Sequence, residues 1–469
     1  MNRYRYLLKN IGLLTLSSFA TKLLSFFLVP LYTNILSTTE YGIFDLFNTT
    51  ISVLLPILTL NIQESVMRFA IDNNYNKKAI VTVATKYLFI SNIIVVVGLG
   101  TNYIFGISEI IKEYTLFFFL MYFSQSLSNI VTMYVRGIDR ITDLSISSIV
   151  ASLGVISSNI IFLVVFKWGL VGYFLANIIG PLIQCFYLII RADMIRNVDF
   201  YQKFVVEKKA MTDYSRPLIA NSVAWWVNNA SDRYVVILFC GLAENGIYSV
   251  ASKIPSILNI FQTIFNQAWT LSAVRDFDPE DKNGFFANTY KVYNCMMVVL
   301  CSFIIGIDKI LAKILYAKDF YSAWKFVPWL TIAIVFGAMS GYLGGFFSAV
   351  KDSKVFAQSS IAGAITNIFL NLLFTPHIGA LGAAIATTVC YFEVWMIRCW
   401  QSKKYIKLKI NWLRDGMTYV LLIAQATVLL LIEQNYIVYL VEMMFFALII
   451  LLYTKDIFSM IKKGMKKRA

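Results

Sequence analysis

The chain has 469 residues, 58% hydrophobic and 14% charged, with a mean hydropathy of +0.68. A soluble domain carries about 25% charged residues, so this composition excludes a soluble globular protein and predicts one that lives in a membrane. The net charge of +15 does not imply nucleic acid, because no soluble basic domain is present to bind it.

Apolar runs of about twenty residues predict fourteen helical spans. They fall at 11–36, 43–70, 80–105, 114–135, 144–166, 170–191, 214–240, 246–274, 285–306, 326–350, 355–375, 379–400, 415–432 and 436–454. The first run follows Arg3, Arg5 and Lys9, is interrupted by Lys22 and lacks a small-residue cleavage site, so it reads as a retained span and not a signal peptide. The stretch "DKILAKILYAKDFYSAWK" (308–325) reads as an amphipathic surface helix. With the N-terminus placed inside, 32 of the 41 Lys and Arg fall on the inner side, 6 on the outer side, and Lys22, Arg233 and Lys253 within spans. That bias predicts a cytoplasmic location for both termini and an even number of spans.

The chain repeats itself. "LSTTEYGIF" (36–44) matches "CGLAENGIY" (240–248), with Glu40, Gly42 and Ile43 recurring as Glu244, Gly246 and Ile247. "GLVGYFLA" (169–176) matches "GALGAAIA" (379–386) at nearly the same offset. Both matches lie at outer turns, which predicts two homologous six-helix bundles in parallel orientation. The expected organisation is an N-terminal bundle at 1–200, a C-terminal bundle at 201–405, and two additional helices with a basic cytoplasmic tail at 406–469. The fold class is an all-α integral membrane protein.

The charges inside the spans carry the functional argument. Each costs roughly 2.5–3.5 kcal/mol at mid-membrane if it faces lipid. Lys22 shares a helix face with Thr15, Ser18 and Ser25. In the seventh span, Asn221, Trp225, Asn228, Asn229 and Asp232 share a face, with Arg233 on its rim. In the eighth, Asn259, Gln262, Thr263, Asn266 and Thr270 form a polar stripe, and Lys253 sits off it. Polar faces from both halves are what a central water-filled cavity requires. Two readings stand for the Asn and Gln stripes: hydrogen bonding between helices, or contact with a ligand. Lys253 either joins the cavity or snorkels to the outer interface. Glu64 and Arg68, spaced i, i+4, are expected to pair. Glu393 has Arg398 at i+5, a poor spacing for a pair, and is a candidate titrating carboxylate alongside Asp232.

The six cysteines lie in or beside apolar runs without metal-ligand spacing, and His377 is the only histidine. The sequence contains no Walker A motif, no nucleophile elbow and no large outer loop, so transport outranks enzymatic chemistry and no cofactor or metal is expected.

"DRYVVILFCGLAENGIYSVASKI" (232–254) resembles the Asp-Arg/Lys…Gly…Gly-x-Tyr-x-x-Ala block of bacterial polysaccharide flippases of the Wzx type, which carry O-antigen and capsule repeat units. "KNIGLLTLSSFATKLLSFFLVPLYTNILSTTEYGIFDLF" (9–47) resembles their first two spans. The resemblance covers essentially the whole chain. It implies two six-helix bundles around a cavity, and as substrate an undecaprenyl-pyrophosphate-linked oligosaccharide moved from the inner to the outer leaflet by alternating access. The substrate-binding residues expected on this reading are Lys22, Arg233 and Lys253 for the pyrophosphate, and Trp225, Asn229, Asn259, Gln262 and Asn266 for the sugars. Glu393 or Asp232 would bind the coupling H⁺ or Na⁺. The implied partners are membrane lipid, a polysaccharide polymerase and a chain-length regulator, in a bacterial cytoplasmic membrane. A lipid II flippase and a multidrug or toxin cation antiporter of the same superfamily are the alternatives. The antiporter should line its cavity with acids, whereas three bases face one acid here.

Overall fold

Inside a bilayer each backbone N–H and C=O must find a partner within the protein, and a helix supplies it within one segment. The computed structural model describes residue 19 and residues 26–72, 75–275, 277–350, 352–432 and 435–466, and every regular element among them is helical. The chain divides into two compact units between Ala230 and Ser231.

The first unit holds α1 (Val29–Ile35), α2 (Thr38–Leu58), α3 (Ile62–Ile71), α4 (Lys77–Phe105), α5 (Thr115–Gly137), α6 (Ile141–Asn159, continued by a π-helical Ile160–Val165), α7 (Gly169–Arg191) and α8 (Val205–Ala230). The second holds α9 (Asp232–Ala251), α10 (Pro255–Arg275), α11 (Phe285–Gly306), α12 (Asp308–Leu315), α13 (Val327–Ala349), α14 (Ser353–Ile378), α15 (Ala380–Ser402), α16 (Trp412–Leu431) and α17 (Asn435–Lys466). Among the described residues twelve helices are long and apolar enough to cross a membrane: α2, α4 to α7, α9, α11 and α13 to α17. Most of the expected first span, Lys22 included, lies outside the described residues. The helix α8 is 26 residues long but carries Glu207, Lys208, Lys209, Asp213 and Arg216 in its first half, and it is not one of the twelve.

Three expected elements differ in detail. The second span is two helices, because the chain passes through left-handed backbone at Leu60 and Asn61, with φ of 51° and 52°. The segment 308–325 is α12 followed by 3-10 turns at Lys318–Lys325, amphipathic as expected, with Asp308, Lys309, Ala312, Leu315, Phe320 and Ala323 buried and Ile310, Lys313, Ile314 and Lys318 exposed. The division at 230/231 falls later than 200/201, since α8 packs on α2, α3 and α4 of the first unit.

Small residues let the helices approach. In the second unit Gly337, Gly341 and Gly345 form one stripe of α13, and Gln262, Asn266 and Trp269 of α10 lie on it. Trp269 Nε1 donates to Tyr342 O at 2.8 Å across that contact. This is the small-xxx-small packing expected where lipid gives helices no hydrophobic reason to associate. The repeated glycines also share a backbone state. Gly169 and Gly379 open α7 and precede α15 with φ of 53° and 65°. Three residues on, Gly172 and Gly382 each lie against backbone of the preceding helical segment, at Phe162 and Phe374. In each unit the helix that follows such a turn packs on the two before it: α7 on α5 and α6, and α15 on α13 and α14.

A side chain at 382 would start 2.6 Å from the carbonyl carbon of Phe374, whereas nothing lies within 4 Å of one at 416. Gly382→Ala is therefore expected to cost about 1–3 kcal/mol. Thermal unfolding in detergent should show a lowered midpoint for Gly382→Ala and none for Gly416→Ala, which gains helix propensity.

Candidate functional site

Asp232, Arg233 and Lys253 stand where helices are interrupted. The hydrogen-bond ladder breaks at Ser231, and α9 begins at Asp232. Asp232 is 8% exposed. Its Oδ1 accepts the Arg233 backbone N–H at 2.9 Å, one of the donors that a helix start leaves open. Its Oδ2 accepts the Tyr248 hydroxyl at 2.6 Å. Thr387 of α15 stands beside that hydroxyl. The chain of polar groups continues into α14, where Asn367 Nδ2 donates to Thr387 Oγ1 at 3.4 Å and Asn371 Nδ2 to Asn367 Oδ1 at 3.1 Å. Arg233 is half-buried next to Asp232. A carboxylate at a helix N-terminus is favoured by the helix dipole, which is one physical reason for an acid at this position.

The helix α9 is itself turned at Gly241, with φ 86° and ψ 177°, and a further interruption lies between α9 and α10, at Ser252–Ile254, before Pro255. Lys253 sits in it, half-buried, with its amide donating to Val250 O at 2.9 Å. On α10, Asn259 is exposed. Gln262 and Asn266 are half-buried, with their amides close to Gly337 and Gly341 of α13. Glu393 of α15 is half-buried near Cys390, and its enclosed Oε2 accepts no hydrogen bond among the described residues.

In the first unit, α8 presents Trp225, 65% exposed, and Asn229, also exposed, whose Nδ2 donates to Trp225 O at 2.7 Å. The neighbouring Trp226 faces the other way and donates to Thr49 O of α2 at 3.0 Å. The break between α2 and α3 gathers a polar group that sequence reasoning passed over. Asn61 Nδ2 donates to Ser222 Oγ at 3.2 Å, Gln63 Nε2 to Asn61 Oδ1 at 2.5 Å, and Thr59 Oγ1 to Leu55 O at 2.6 Å. The available signal was Pro56 followed by Asn61 and Gln63 inside an apolar run. The expected Glu64–Arg68 pair does not form: neither residue has an ion-pair partner among the described residues, and Arg68 is exposed.

Arg398, treated above only as a poor partner for Glu393, is 4% exposed. Neutral oxygens hold it: Nε donates to Ser359 Oγ at 3.0 Å, Nη1 to Ser340 O at 2.9 Å and Nη2 to Ser360 Oγ at 3.0 Å. Its Cζ lies 4.1 Å from the centre of the Phe356 ring. This guanidinium ties α13, α14 and α15 together.

The two adjacent tryptophans give a matched test. Trp226→Phe removes the donor to Thr49 and is expected to cost about 1 kcal/mol. Trp225→Phe, at an exposed position, should leave the thermal unfolding midpoint unchanged in the same measurement.

Residues 7–270 match the family described as polysaccharide biosynthesis protein. A probable low-salt glycan biosynthesis flippase of Haloferax volcanii is 19% identical over 229 residues, and the alignment spans 47% of this chain and 48% of that protein, about half of each. The fold is similar to the lipid II flippase MurJ in an inward closed conformation, with a TM-score of 0.71, 13% identity and coverage of 95% of this chain and 98% of the other. It is similar as well to an inward-facing multidrug resistance MATE family transporter of the MOP superfamily, with a TM-score of 0.66, 13% identity and coverage of 87% and 95%. The family match extends over more than half of the chain, and the protein belongs to the polysaccharide biosynthesis protein family.

Proposed function

We propose that the protein is a transporter that turns a polyprenyl-pyrophosphate-linked oligosaccharide, an undecaprenyl-linked O-antigen or capsule repeat unit, from the inner to the outer leaflet of a bacterial cytoplasmic membrane. The observation that carries this reading is the Asp232–Arg233 step at the start of α9, two charges kept at a helix interruption in an apolar segment. Family membership supports it, and so does a fold shared with the lipid II flippase MurJ. An interrupted membrane helix with a charged start is a common way to build a substrate or ion site.

The roles follow from chemistry. A guanidinium binds phosphate oxygens through paired N–H donors, and an ammonium binds them as a point charge. Arg233 grips the pyrophosphate, with Lys22 and Lys253 as further cations. Trp225 and Asn229, exposed on α8, meet sugar faces and hydroxyls, and Asn259 is a further contact. Gln262 and Asn266, half-buried on the same helix as Asn259, are further contacts. Asp232, joined by Tyr248 to α14 and α15, takes the coupling H⁺ or Na⁺, with Glu393 as the second carboxylate for that role. The lipid tail needs an apolar surface. A groove of about 360 Å³ lined by Trp329, Phe336, Phe392, Trp395 and Trp412 offers one. Transport proceeds by alternating access, with both termini cytoplasmic as the Lys and Arg bias requires.

Arg233→Ala should abolish surface polymer in cells that depend on this protein, while immunoblots show an undiminished amount in the membrane. Arg233→Lys should retain part of the export. Normal export by Arg233→Ala would refute the assigned role.

A further inference from the structure

The first unit carries a basic pocket with apolar walls that the transport reading leaves unused. It lies between α4, the segment that follows α7, and the start of α8, and it encloses about 450 Å³. The segment is fastened to α4 at Thr82: the Asp199 amide donates to Thr82 Oγ1 at 2.9 Å, and that hydroxyl donates to Asn197 O at 3.4 Å. Asp199 Oδ1 accepts the amides of Tyr201 and Gln202 at 3.1 and 3.3 Å, which folds the segment back on itself. Phe204 is buried and anchors its far end. Three lysines line the pocket, one from each wall: Lys86 of α4, Lys203 of the segment and Lys208 of α8. Lys86 Nζ donates to Gln202 O at 3.4 Å, and Lys208 Nζ stands 6.0 Å from the centre of the Tyr87 ring. Among the described residues no acid lines the pocket, and none of the three lysines has an ion-pair partner. Phe89, Ile90, Phe200 and Val205 are exposed at the pocket, with the Phe89 and Phe200 rings edge to face at 6.1 Å.

The length of α4 sets the depth of this pocket. Its 29 residues make a helix about 43 Å long, roughly 13 Å more than the hydrocarbon core of a bilayer. The far end is apolar and exposed at Tyr103, Ile104 and Phe105, whereas the near end begins with Lys77 and Lys78, so the excess falls at the near end. Lys86 stands about 14 Å along the helix, at the boundary where hydrocarbon gives way to phosphates. The Lys and Arg bias puts that end on the cytoplasmic side. Tyr201, fully exposed, and Ile195 suit the same interface. From the pocket an exposed apolar stripe of Phe89, Ile93, Val96 and Val97 continues along α4.

Three ammonium groups above an apolar stripe complement a phosphate that carries a hydrocarbon tail. A zwitterionic headgroup brings an ammonium of its own, which the lysines repel. A glycan headgroup finds only lysines and the Tyr87 phenol for its hydroxyls, since the rest of the wall is hydrocarbon. We propose that this pocket binds one anionic glycerophospholipid of the cytoplasmic leaflet, with its phosphate among Lys86, Lys203 and Lys208 and an acyl chain along Phe89 and Ile93. The site is separate from the Asp232–Arg233 step and does not depend on the substrate proposed above.

Native mass spectrometry of the purified full-length protein, with phosphatidylglycerol and phosphatidylethanolamine added in equal amounts, tests the proposal. One phosphatidylglycerol should stay bound under conditions that strip phosphatidylethanolamine. Equal retention of the two lipids would overturn the proposal. A lysine beside a lipid phosphate is worth about fivefold in affinity, so Lys86→Gln/Lys203→Gln/Lys208→Gln should weaken phosphatidylglycerol binding by about tenfold or more. Lys77, Lys78 and Lys209 are exposed nearby and do not line the pocket. Replacing those three with Gln removes the same charge and should leave binding within about twofold of wild type, less than the loss of a single pocket lysine. Unchanged binding in the first triple variant, or an equal loss in the second, would overturn the proposal, the latter because the lipid would then answer to diffuse surface charge. Undecaprenyl pyrophosphate at the same concentration should leave the bound phosphatidylglycerol in place. Its displacement would also overturn the proposal, because the pocket would then serve the carrier lipid; the role of Arg233 is tested separately by export.

Discussion

A backbone inside a bilayer has no water to bond with, so a membrane helix can be interrupted only where side chains replace the missing partners. That constraint organises this molecule. At the break at Leu60–Asn61 the Asn61 amide reaches back to Pro56 O at 2.8 Å, Thr59 Oγ1 donates to Leu55 O, and the side chains of Asn61, Gln63 and Ser222 bond one another. The interruption at Ser231 is closed by the carboxylate of Asp232 on the amide of Arg233. The turn at Ser252–Ile254 holds Lys253. Each place where the ladder fails also collects the groups that could bind a charged or sugared ligand, because the same side chains that cap a broken helix are polar and inward.

Packing between helices obeys a second rule of the bilayer. Lipid tails are as apolar as leucine, so helices are held by close backbone approach and by hydrogen bonds. The glycine stripe of α13 supplies the first against α10, and Arg398 supplies the second among α13, α14 and α15. The last two helices are fastened in the same way. Tyr419 donates to Asn294 Oδ1 at 2.8 Å, Asn294 donates to Tyr453 at 3.0 Å, and Arg414 pairs with the buried Asp415 at 2.7 Å. The helices α16 and α17 are thus parts of the second unit and not a loose appendage.

Much of this was legible from residue order. Apolar run length marks the spans, and the positive φ of both Gly169 and Gly379 explains why those glycines recur in the repeat. Asp232 and Arg233 announce themselves as adjacent charges in an oily run. The polar stripe of α10 was legible but ambiguous: helical periodicity shows that Gln262 and Asn266 share a face, but only the glycine stripe of α13 shows what that face meets. Spacing alone misled at Glu64 and Arg68, where i, i+4 separation permits a pair that the exposed Arg68 does not make.

The central claim is that Arg233 grips the phosphate end of a lipid-linked sugar. Binding of a polyprenyl-pyrophosphate-linked oligosaccharide to the purified protein, followed by native mass spectrometry, tests it most directly. Losing a charge-assisted contact should weaken binding of Arg233→Ala by about tenfold or more relative to wild type. Equal affinity in the two proteins would contradict the account.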